Sequence, residues 1–272
     1  MPQPPLSTGA SASRPPDDVA VVLVHGYLCV WPGLYWYGLR PLRRSLLARG
    51  IPVLTSRQPR TASVELRAGR LASLLERLPH RRLVLVGHSM GGLDARWVAS
   101  RHDPQRRITH VVTVGTPHRG TRLAEWASRA PRLRARLVRL LDRGGLRDLT
   151  PEGAARLGDA MPDRPDVTYL SLAGSLSAPD LPPFFRPLGE LLHAAEGAND
   201  GLVGVRSAAW GTSSATVAAD HLGLIGATVA PTGYPQRDGA REALAALYRL
   251  VGRAALSPGA RPAGGVRRSV AT

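Results

Sequence analysis

Short runs of aliphatic and β-branched residues alternate along the chain with longer stretches of helical periodicity. The apolar runs are Val19–Val24, Pro52–Thr55, Leu83–Val86, His110–Val114, Val167–Leu172 and Ala215–Ala218. Runs of this length without polar alternation are typical of strands buried on both faces. The pattern therefore predicts an α/β domain, with a mostly parallel central sheet and helices on both of its faces.

The pattern changes at both ends of the chain and at two places inside it. Residues 1–18 and 256–272 are rich in Pro, Ser, Ala, Gly or Arg, so we predict disordered and flexible tails around one domain of residues 19–255. Residues 121–160 have a helical pattern throughout and suggest an insertion on top of the sheet. The prolines of residues 175–198 indicate an irregular segment.

One face of the helical insertion carries a leucine stripe, made of Leu133, Leu137, Leu140 and Leu141. Two interpretations fit this stripe equally well. The leucines could contact lipid when the insertion opens, or they could pack against the sheet at all times.

Composition places the chain among ordinary globular proteins. It has 272 residues, of which 43% are hydrophobic and 21% charged, enough to bury a core without disulfides or a metal. Cys29 is the single cysteine, so an intramolecular disulfide is impossible. We expect neither a metal nor any other cofactor, and the sequence does not determine the oligomeric state.

The net charge of +16 is carried entirely by arginine, because the sequence contains no lysine. Nucleic-acid-binding surfaces usually mix both basic residues, and exclusion of lysine beside abundant Ala, Gly and Pro is typical of a GC-rich genome. We therefore interpret the charge as a solvated arginine surface and expect no nucleic-acid partner.

The uncharged stretch of residues 19–39 is long enough to span a membrane, yet it contains His25, Gly26 and Pro32. A buried strand followed by a loop explains it better. The first 18 residues have no apolar core of the kind found in a secretory signal, so we predict a cytoplasmic location.

The clearest chemical signal is Gly87-His88-Ser89-Met90-Gly91, which fits Gly-x-Ser-x-Gly. It stands directly after the apolar run ending at Val86 and before a helical stretch. A sharp strand-to-helix turn of this kind holds the serine in strained φ/ψ and exposes its hydroxyl. We therefore predict Ser89 as a nucleophile.

A serine nucleophile needs a base, and three histidines follow Ser89 at useful distance: His118, His193 and His221. His118 comes directly after a strand and is expected to shape the floor of the site, whereas His193 lies in the irregular segment. His221 follows the last strand, where a base would be presented at the carboxyl edge of the sheet. We predict His221 as the base.

The base needs an orienting carboxylate, which comes between serine and histidine in this arrangement. Asp200 lies in an Asn-Asp-Gly turn that can fix a carboxylate towards a neighbouring loop. Asp166 and Asp180 are rivals, and Asp220 adjoins the base but should point away from it. We predict Asp200 as the acid.

Two backbone N–H groups are expected to stabilise the oxyanion of a tetrahedral intermediate. One is that of Met90, directly after the nucleophile. The other should come from the loop after the first strand, where we choose Tyr27. The preceding His25 is interpreted as a structural residue that braces this loop.

Seven short motifs now make the chain resemble the bacterial triacylglycerol lipases of the Pseudomonas and Burkholderia type, within the α/β-hydrolase superfamily. They are VLVHGY, YWYGL, LVGHSMGGLDARWVA, VGTPHRGT, DLTPEGA, NDGLV and DHLGLIG, in the family's order over residues 19 to 226. The resemblance implies the α/β-hydrolase fold, with Ser89, Asp200 and His221 as the triad, Tyr27 and Met90 at the oxyanion positions, and residues 121–160 as a lid.

The sequence departs from that family where the resemblance implies a structural calcium near the catalytic histidine. The position of one carboxylate ligand is Gly223, and that of a further side-chain ligand is Ala227. Asp180 could match the remaining acidic ligand but would make a poor site alone. The family's disulfide is also impossible here, so we expect a calcium-independent relative.

These observations predict a cofactor-free serine ester hydrolase, a lipase or esterase acting on acylglycerols or other medium- to long-chain esters. A thioesterase, a polyester depolymerase or an acyltransferase could use the same triad. A non-enzymatic basic module that binds nucleic acid or anionic membrane is the remaining alternative. It would not explain Ser89, Asp200 and His221 in catalytic order.

Overall fold

The computed structural model describes residues 18–28, 36–129, 140, 142–227 and 236–256. Its strands form a single six-stranded sheet in the order β2-β1-β3-β4-β5-β6, and every neighbouring pair is parallel. The strands are β1 (Val19–Val24), β2 (Val53–Thr55), β3 (Arg82–His88), β4 (Ile108–Val114), β5 (Thr168–Gly174) and β6 (Ser213–Val217). Each overlaps one of the predicted apolar runs, and the predicted α/β class is confirmed.

Helices connect these strands. In chain order they are α1 (Arg40–Leu47), α2 (Val64–Glu76), α3 (Met90–Arg101), α4 (Arg122–Arg129), α5 (Gly145–Asp148), α6 (Pro151–Ala160), α7 (Arg186–Glu196), α8 (Val205–Ala208) and α9 (Gln236–Leu256). Single 3₁₀ turns occur at Tyr37–Leu39, Ala178–Asp180 and Gly223–Ile225.

The sheet is covered on both faces because alternate strand residues point to opposite sides. Val19, Val21 and Leu23 of β1 pack with α1 and α9 in one hydrophobic cluster. Ala20 and Val22 belong to a second cluster with α2 and α3 on the other face. Both faces of β1 are thus buried, which explains why its sequence does not alternate with polar residues.

The inserted region is less regular than predicted. Its described residues contain three separate helices, α4, α5 and α6. Directly before α5, Arg143 and Gly144 leave the helical conformation and form β-bridges with Ala62. Leu146, Leu149 and Leu157 pack in a hydrophobic cluster with Met90 and Leu93 of α3. This part of the insertion therefore belongs to the folded core, and "helical throughout" was wrong.

Much of the predicted leucine stripe lies outside the described residues, as do Cys29 and residues 1–17 and 257–272. Within the stripe only Leu140 is described, and its exposed fraction is 80%. Leu140 is not packed against the sheet, so the packed interpretation does not hold for this one leucine.

The segment 175–198 is also more regular than predicted, because it contains the eleven-residue helix α7. The proline at position 187 falls in the first turn of that helix, where its missing N–H costs no hydrogen bond. Among the described helices, none combines the length and the apolar character that crossing a membrane would require.

Candidate active site

All six strands run in the same direction, so their carboxyl ends meet at one edge of the sheet. The loops that leave this edge carry the predicted residues: Tyr27 follows β1, Ser89 follows β3, Asp200 lies between β5 and β6, and His221 follows β6. Crevices at this edge are the usual binding places of α/β sheets. The four residues and Met90 are therefore brought to one edge of the sheet.

Ser89 occupies a strained turn between β3 and α3. Its φ of 54° and ψ of −132° are unusual for a residue with a side chain, and its N–H donates to the Val114 carbonyl over 2.8 Å. A Cβ on Gly91 would collide with the carbonyl oxygen of Val24, so only glycine allows α3 to start this close to β1. The predicted strained turn between strand and helix is present.

Asp200 and His221 form a buried pair. The Nδ1–H of His221 donates to Oδ2 of Asp200 over 2.7 Å, and the His221 N–H donates to the Asp200 carbonyl over 2.9 Å. The other carboxylate oxygen of Asp200 accepts the N–H groups of Leu202, at 2.9 Å, and Val203, at 2.7 Å. Since Nδ1 carries the proton, Nε2 of a neutral His221 is left as an acceptor.

Gly115, the residue directly after β4, lies close to this pair. Its φ is +54°, and a Cβ there would lie 3.1 Å from both the Asp200 carboxylate and Nδ1 of His221. A side chain at Gly115 would therefore be strained by the positive φ and would crowd the carboxylate–imidazole bond.

The loop after β1 is held by a neutral histidine. Nδ1 of His25 donates to the Gly26 carbonyl over 2.8 Å, and Nε2 accepts the Gln58 N–H over 3.3 Å. Burial lowers the pKa of His25 to about 4, so the ring keeps this tautomer at neutral pH. The interpretation of His25 as a bracing residue fits these contacts.

A buried ion pair, which sequence reasoning missed, also fixes this loop. The Arg67 guanidinium donates to the His25 carbonyl over 2.6 Å and pairs with Asp94 over 2.8 Å, both side chains being fully buried. Arg67 lies on α2 and Asp94 on α3, so the pair joins two helices to the loop. A signal existed in the sequence, since Arg67 shares the apolar helix face of Leu71 and Leu75 at a spacing of four.

His88, inside the serine motif, was likewise not singled out. Its Nε2–H donates to the His221 carbonyl over 2.8 Å, and the two rings lie 4.6 Å apart. Burial, followed by the neighbouring His221, holds the pKa of His88 well below its ordinary value. His88 is thus a neutral donor at neutral pH and ties the loop of His221 to the end of β3.

A cavity of about 340 Å³ opens over these residues. Tyr27, His88, Ser89 and His221 line it, and Met90 is buried next to Ser89 at the start of α3. The remaining lining is largely apolar and comprises Leu28, Pro117, Thr121, Leu123, Ala124, Ala127, Leu146, Leu149, Leu202, Val203 and Leu222. An apolar cavity with a few polar groups is the usual form of a small-molecule site.

His118 does not form the floor of this cavity, so that expectation was wrong. The ring contacts Thr113 over 3.0 Å and Arg96 over 3.2 Å, and it stacks on Trp210 with 5.1 Å between centroids. Both ring nitrogens of His118 have a hydrogen-bond partner in this cluster. The neighbouring Pro117, and not His118, lines the cavity. The strand ending at Val114 gave no sign of which way the loop would turn.

The other rivals also lie elsewhere. His193 is exposed on α7, Asp166 pairs with Arg164 at the surface, and Asp180 contacts the Ser177 hydroxyl. The Oδ1 of Asp220 accepts the N–H groups of Leu222 and Gly223, each at 3.0 Å, whereas the His221 ring is bonded to Asp200.

The residues around His221 do not fit the calcium site that the resemblance implied. Gly223 offers no side-chain oxygen, and a Cβ there would lie 2.9 Å from the Asp220 carboxylate, which would have to shift. Ala227 offers no side-chain oxygen. Within the described ranges, no three His, Cys, Asp or Glu side chains converge as metal ligands would. Asp220 instead holds the loop by accepting its backbone N–H groups.

We therefore predict that chelation of calcium changes neither the Tm nor the ester-hydrolysing activity of this protein. Melting curves and an ester assay, each run with EDTA and with millimolar calcium, should coincide, because an ion that is barely bound adds no stability. A rise in Tm of several degrees with calcium, or activity that depends on calcium, would contradict this prediction.

Comparisons with known proteins agree with this fold. A family model described as the α/β-hydrolase fold matches residues 62–148. Triacylglycerol lipase 2 of Saccharomyces cerevisiae is 28% identical over 208 residues, covering 70% of this chain and 62% of that protein. A triacylglycerol lipase of Burkholderia plantarii is 33% identical over 99 residues, covering 34% of this chain and 26% of that protein. The chain thus spans less than two thirds of either relative.

Among solved structures, mature lipase BlEst2 of Bacillus licheniformis superposes with a TM-score of 0.65. The sequences are 22% identical, and the match covers 79% of this chain and 89% of that one. At this identity the likeness concerns the fold alone. The chain therefore has the α/β-hydrolase fold, and triacylglycerol lipases are among the proteins to which its sequence is similar.

Proposed function

We propose that this protein hydrolyses carboxylic esters through a covalent acyl-enzyme on Ser89. The observation that carries the proposal is the presence of Ser89 and the Asp200-bound His221 in the lining of one apolar cavity. The similarity to triacylglycerol lipases supports it independently. The narrower kinship with the Pseudomonas and Burkholderia lipases is part of the proposal, supported by the ordered motifs.

In the proposed reaction, Ser89 Oγ attacks the ester carbonyl while His221 Nε2 takes the hydroxyl proton. Asp200 keeps the proton of His221 on Nδ1 and stabilises the charged ring. When the tetrahedral intermediate collapses, the bond to the leaving alkoxide breaks and His221 returns its proton to that oxygen. A water molecule then repeats the sequence on the acyl-enzyme, which releases the acid and restores Ser89.

The oxyanion of the intermediate is assigned to the backbone N–H groups of Tyr27 and Met90. Their side chains pack in the same hydrophobic cluster, which also contains Val64, Leu93 and Leu146. Both donors are therefore attached to one packed unit and need little reorganisation when charge develops. Preorganised donors of this kind often give the largest contribution to catalysis.

The proposed substrates are acylglycerols or other esters with medium to long acyl chains. A cavity with six leucines among its fifteen lining residues, and with no Asp, Glu, Lys or Arg among them, favours an aliphatic chain over a charged one. Contact with a lipid surface through residues 121–160 belongs to the same proposal, supported by Leu140, which is 80% exposed, and by Leu28 in the cavity lining, which is 42% exposed. The cytoplasmic location stays a prediction, which cell fractionation would test.

The direct test is a series of p-nitrophenyl esters from short to long acyl chains, run beside an emulsified triglyceride and a matched thioester. Oxygen-ester hydrolysis, together with labelling by a serine-reactive fluorophosphonate, is expected. A protein that binds no fluorophosphonate and hydrolyses none of these esters would rule the proposal out.

The rate is expected to fall in acid, because a protonated His221 cannot accept the proton of Ser89. His88, which also lines the cavity, does not add a second step, since burial holds its pKa well below the ordinary value. A profile of kcat/KM against pH should fall on its acid side. A flat profile would contradict a histidine base, and circular dichroism at each pH excludes unfolding.

A further inference from the structure

Tyr27 carries a side-chain contact that its proposed role as a backbone donor does not use. Its hydroxyl donates to Oδ1 of Asp142 over 2.8 Å, although the two residues are 115 positions apart. The same carboxylate accepts the N–H groups of Leu146, at 2.8 Å, and Gly144, at 3.0 Å. These two backbone contacts orient the Asp142 carboxylate independently of its bond to Tyr27.

Residues 142–146, the segment that begins with Asp142, are fixed to the start of α2. The N–H groups of Arg143 and Gly145 both donate to the Thr61 carbonyl, at 2.9 Å and 3.0 Å. The Ser63 N–H in turn donates to the Arg143 carbonyl over 3.2 Å. The backbone next to Asp142 is thus held by hydrogen bonds, so the bond from Asp142 restricts where the Tyr27 side chain can lie.

The Tyr27 ring is held between Asp142 and the core. A Cβ on Gly145 would lie 2.7 Å from Cε2 of Tyr27, so the ring rests directly on the backbone of this segment. The ring also packs against the cluster that contains Met90. Its hydroxyl stays a donor at neutral pH, because burial and then the Asp142 bond raise the pKa of Tyr27.

The backbone next to Tyr27 is strained and needs support. Leu28 has a φ of 54°, in the left-handed region that strains a residue bearing a side chain. Its N–H donates to the Arg60 carbonyl over 2.9 Å. On the other side of Tyr27, the His25 carbonyl is held by Arg67. The Asp142 contact adds a restraint on the Tyr27 side chain itself.

We propose that Asp142 is a positioning residue for ester hydrolysis, which through the Tyr27 hydroxyl fixes the Tyr27 N–H against the oxyanion. The inference rests on the proposed function. Because the oxyanion exists only during the reaction, loss of this contact should lower kcat and leave substrate binding nearly unchanged. Small displacements of a catalytic group lower the rate strongly, so the loss of one remote hydrogen bond should have a measurable effect on kcat.

The test compares Tyr27→Phe, Asp142→Ala and the double variant on a short, water-soluble p-nitrophenyl ester. Each single variant is expected to lower kcat about tenfold, below the loss for deleting an oxyanion donor outright. KM should stay within about twofold. The double variant should lose no more than either single variant, since both remove the same bond.

Two further variants separate positioning from folding. Asp142→Asn keeps an oxygen for the Tyr27 hydroxyl but loses the acceptor for the Gly144 N–H, so it should recover most of kcat while its Tm falls. Tyr248→Phe is the matched control, because it removes a hydroxyl bonded to the Gly38 carbonyl away from the cavity. Its kcat should equal that of the unaltered protein.

Additive losses, an equal kcat loss in Asp142→Asn and Asp142→Ala, or an unchanged kcat in Tyr27→Phe would each overturn the inference. If Asp142→Ala does not fold, Tyr27→Phe decides alone, since it keeps the packed ring. Ser89→Ala in the same assay tests the proposed function separately. If Ser89→Ala abolishes hydrolysis and Tyr27→Phe has no effect, only the positioning role fails.

Discussion

Replacement of Ser89 by alanine is expected to abolish ester hydrolysis and to leave the folded structure intact. The variant lacks the oxygen that forms the acyl-enzyme, and loss of such a nucleophile typically lowers kcat by about 10⁴-fold or more. Fluorophosphonate labelling should disappear with the activity. The measurement is the initial rate on the preferred p-nitrophenyl ester, with Tm recorded for the same sample.

The fold should tolerate this change because the backbone makes the contacts that hold the turn at Ser89. The Ser89 N–H donates to the Val114 carbonyl, and the Gly92 N–H donates to the Ser89 carbonyl, neither of which needs the hydroxyl. Ser73→Ala, which removes a serine hydroxyl on the exposed face of α2, is the matched control and should keep full activity. Retention of more than about a tenth of the rate in Ser89→Ala would remove Ser89 from its proposed role.

The central strands β1 and β3 could be predicted because they are buried on both faces and so leave uninterrupted apolar runs, whereas the edge strand β6 is exposed at four of its five residues. Gly-x-Ser-x-Gly after such a run predicted the strained turn at Ser89. The position of His221 followed from topology, since parallel strands bring their carboxyl ends to one edge, and that of Asp200 followed from its Asn-Asp-Gly turn. In each of these cases a local pattern and the general rules of sheets were sufficient.

Contacts between distant segments could not be predicted in the same way. The β-bridges from Ala62 to Arg143 and Gly144 interrupt the helical pattern of the insertion. The sequence of the insertion contains no signal that predicts them. His118 leaves the cavity because Arg96 and Trp210 provide a buried partner set. The prolines of residues 175–198 were misleading for another reason, because a proline in a first turn starts a helix as readily as one inside a helix breaks it.

Asp200→Asn is expected to lower kcat by about 10⁴-fold while the protein stays folded. Asparagine has nearly the same shape and can still accept the N–H groups of Leu202 and Val203 through Oδ1. The kinetic loss should therefore come from the changed chemistry of one atom and not from a collapsed turn. Asp180→Asn is the matched control, because Asp180 contacts Ser177 and lies outside the cavity lining.

The reason lies in the tautomer of His221. The two N–H groups on Oδ1 fix which end of the amide faces them, so the asparagine NH₂ must face Nδ1 of His221. Two donors cannot share one hydrogen bond, and the ring must then carry its proton on Nε2 instead. In that form Nε2 cannot accept the proton of Ser89. An Asp200→Asn variant that keeps more than about a tenth of the rate would show that another carboxylate orients His221.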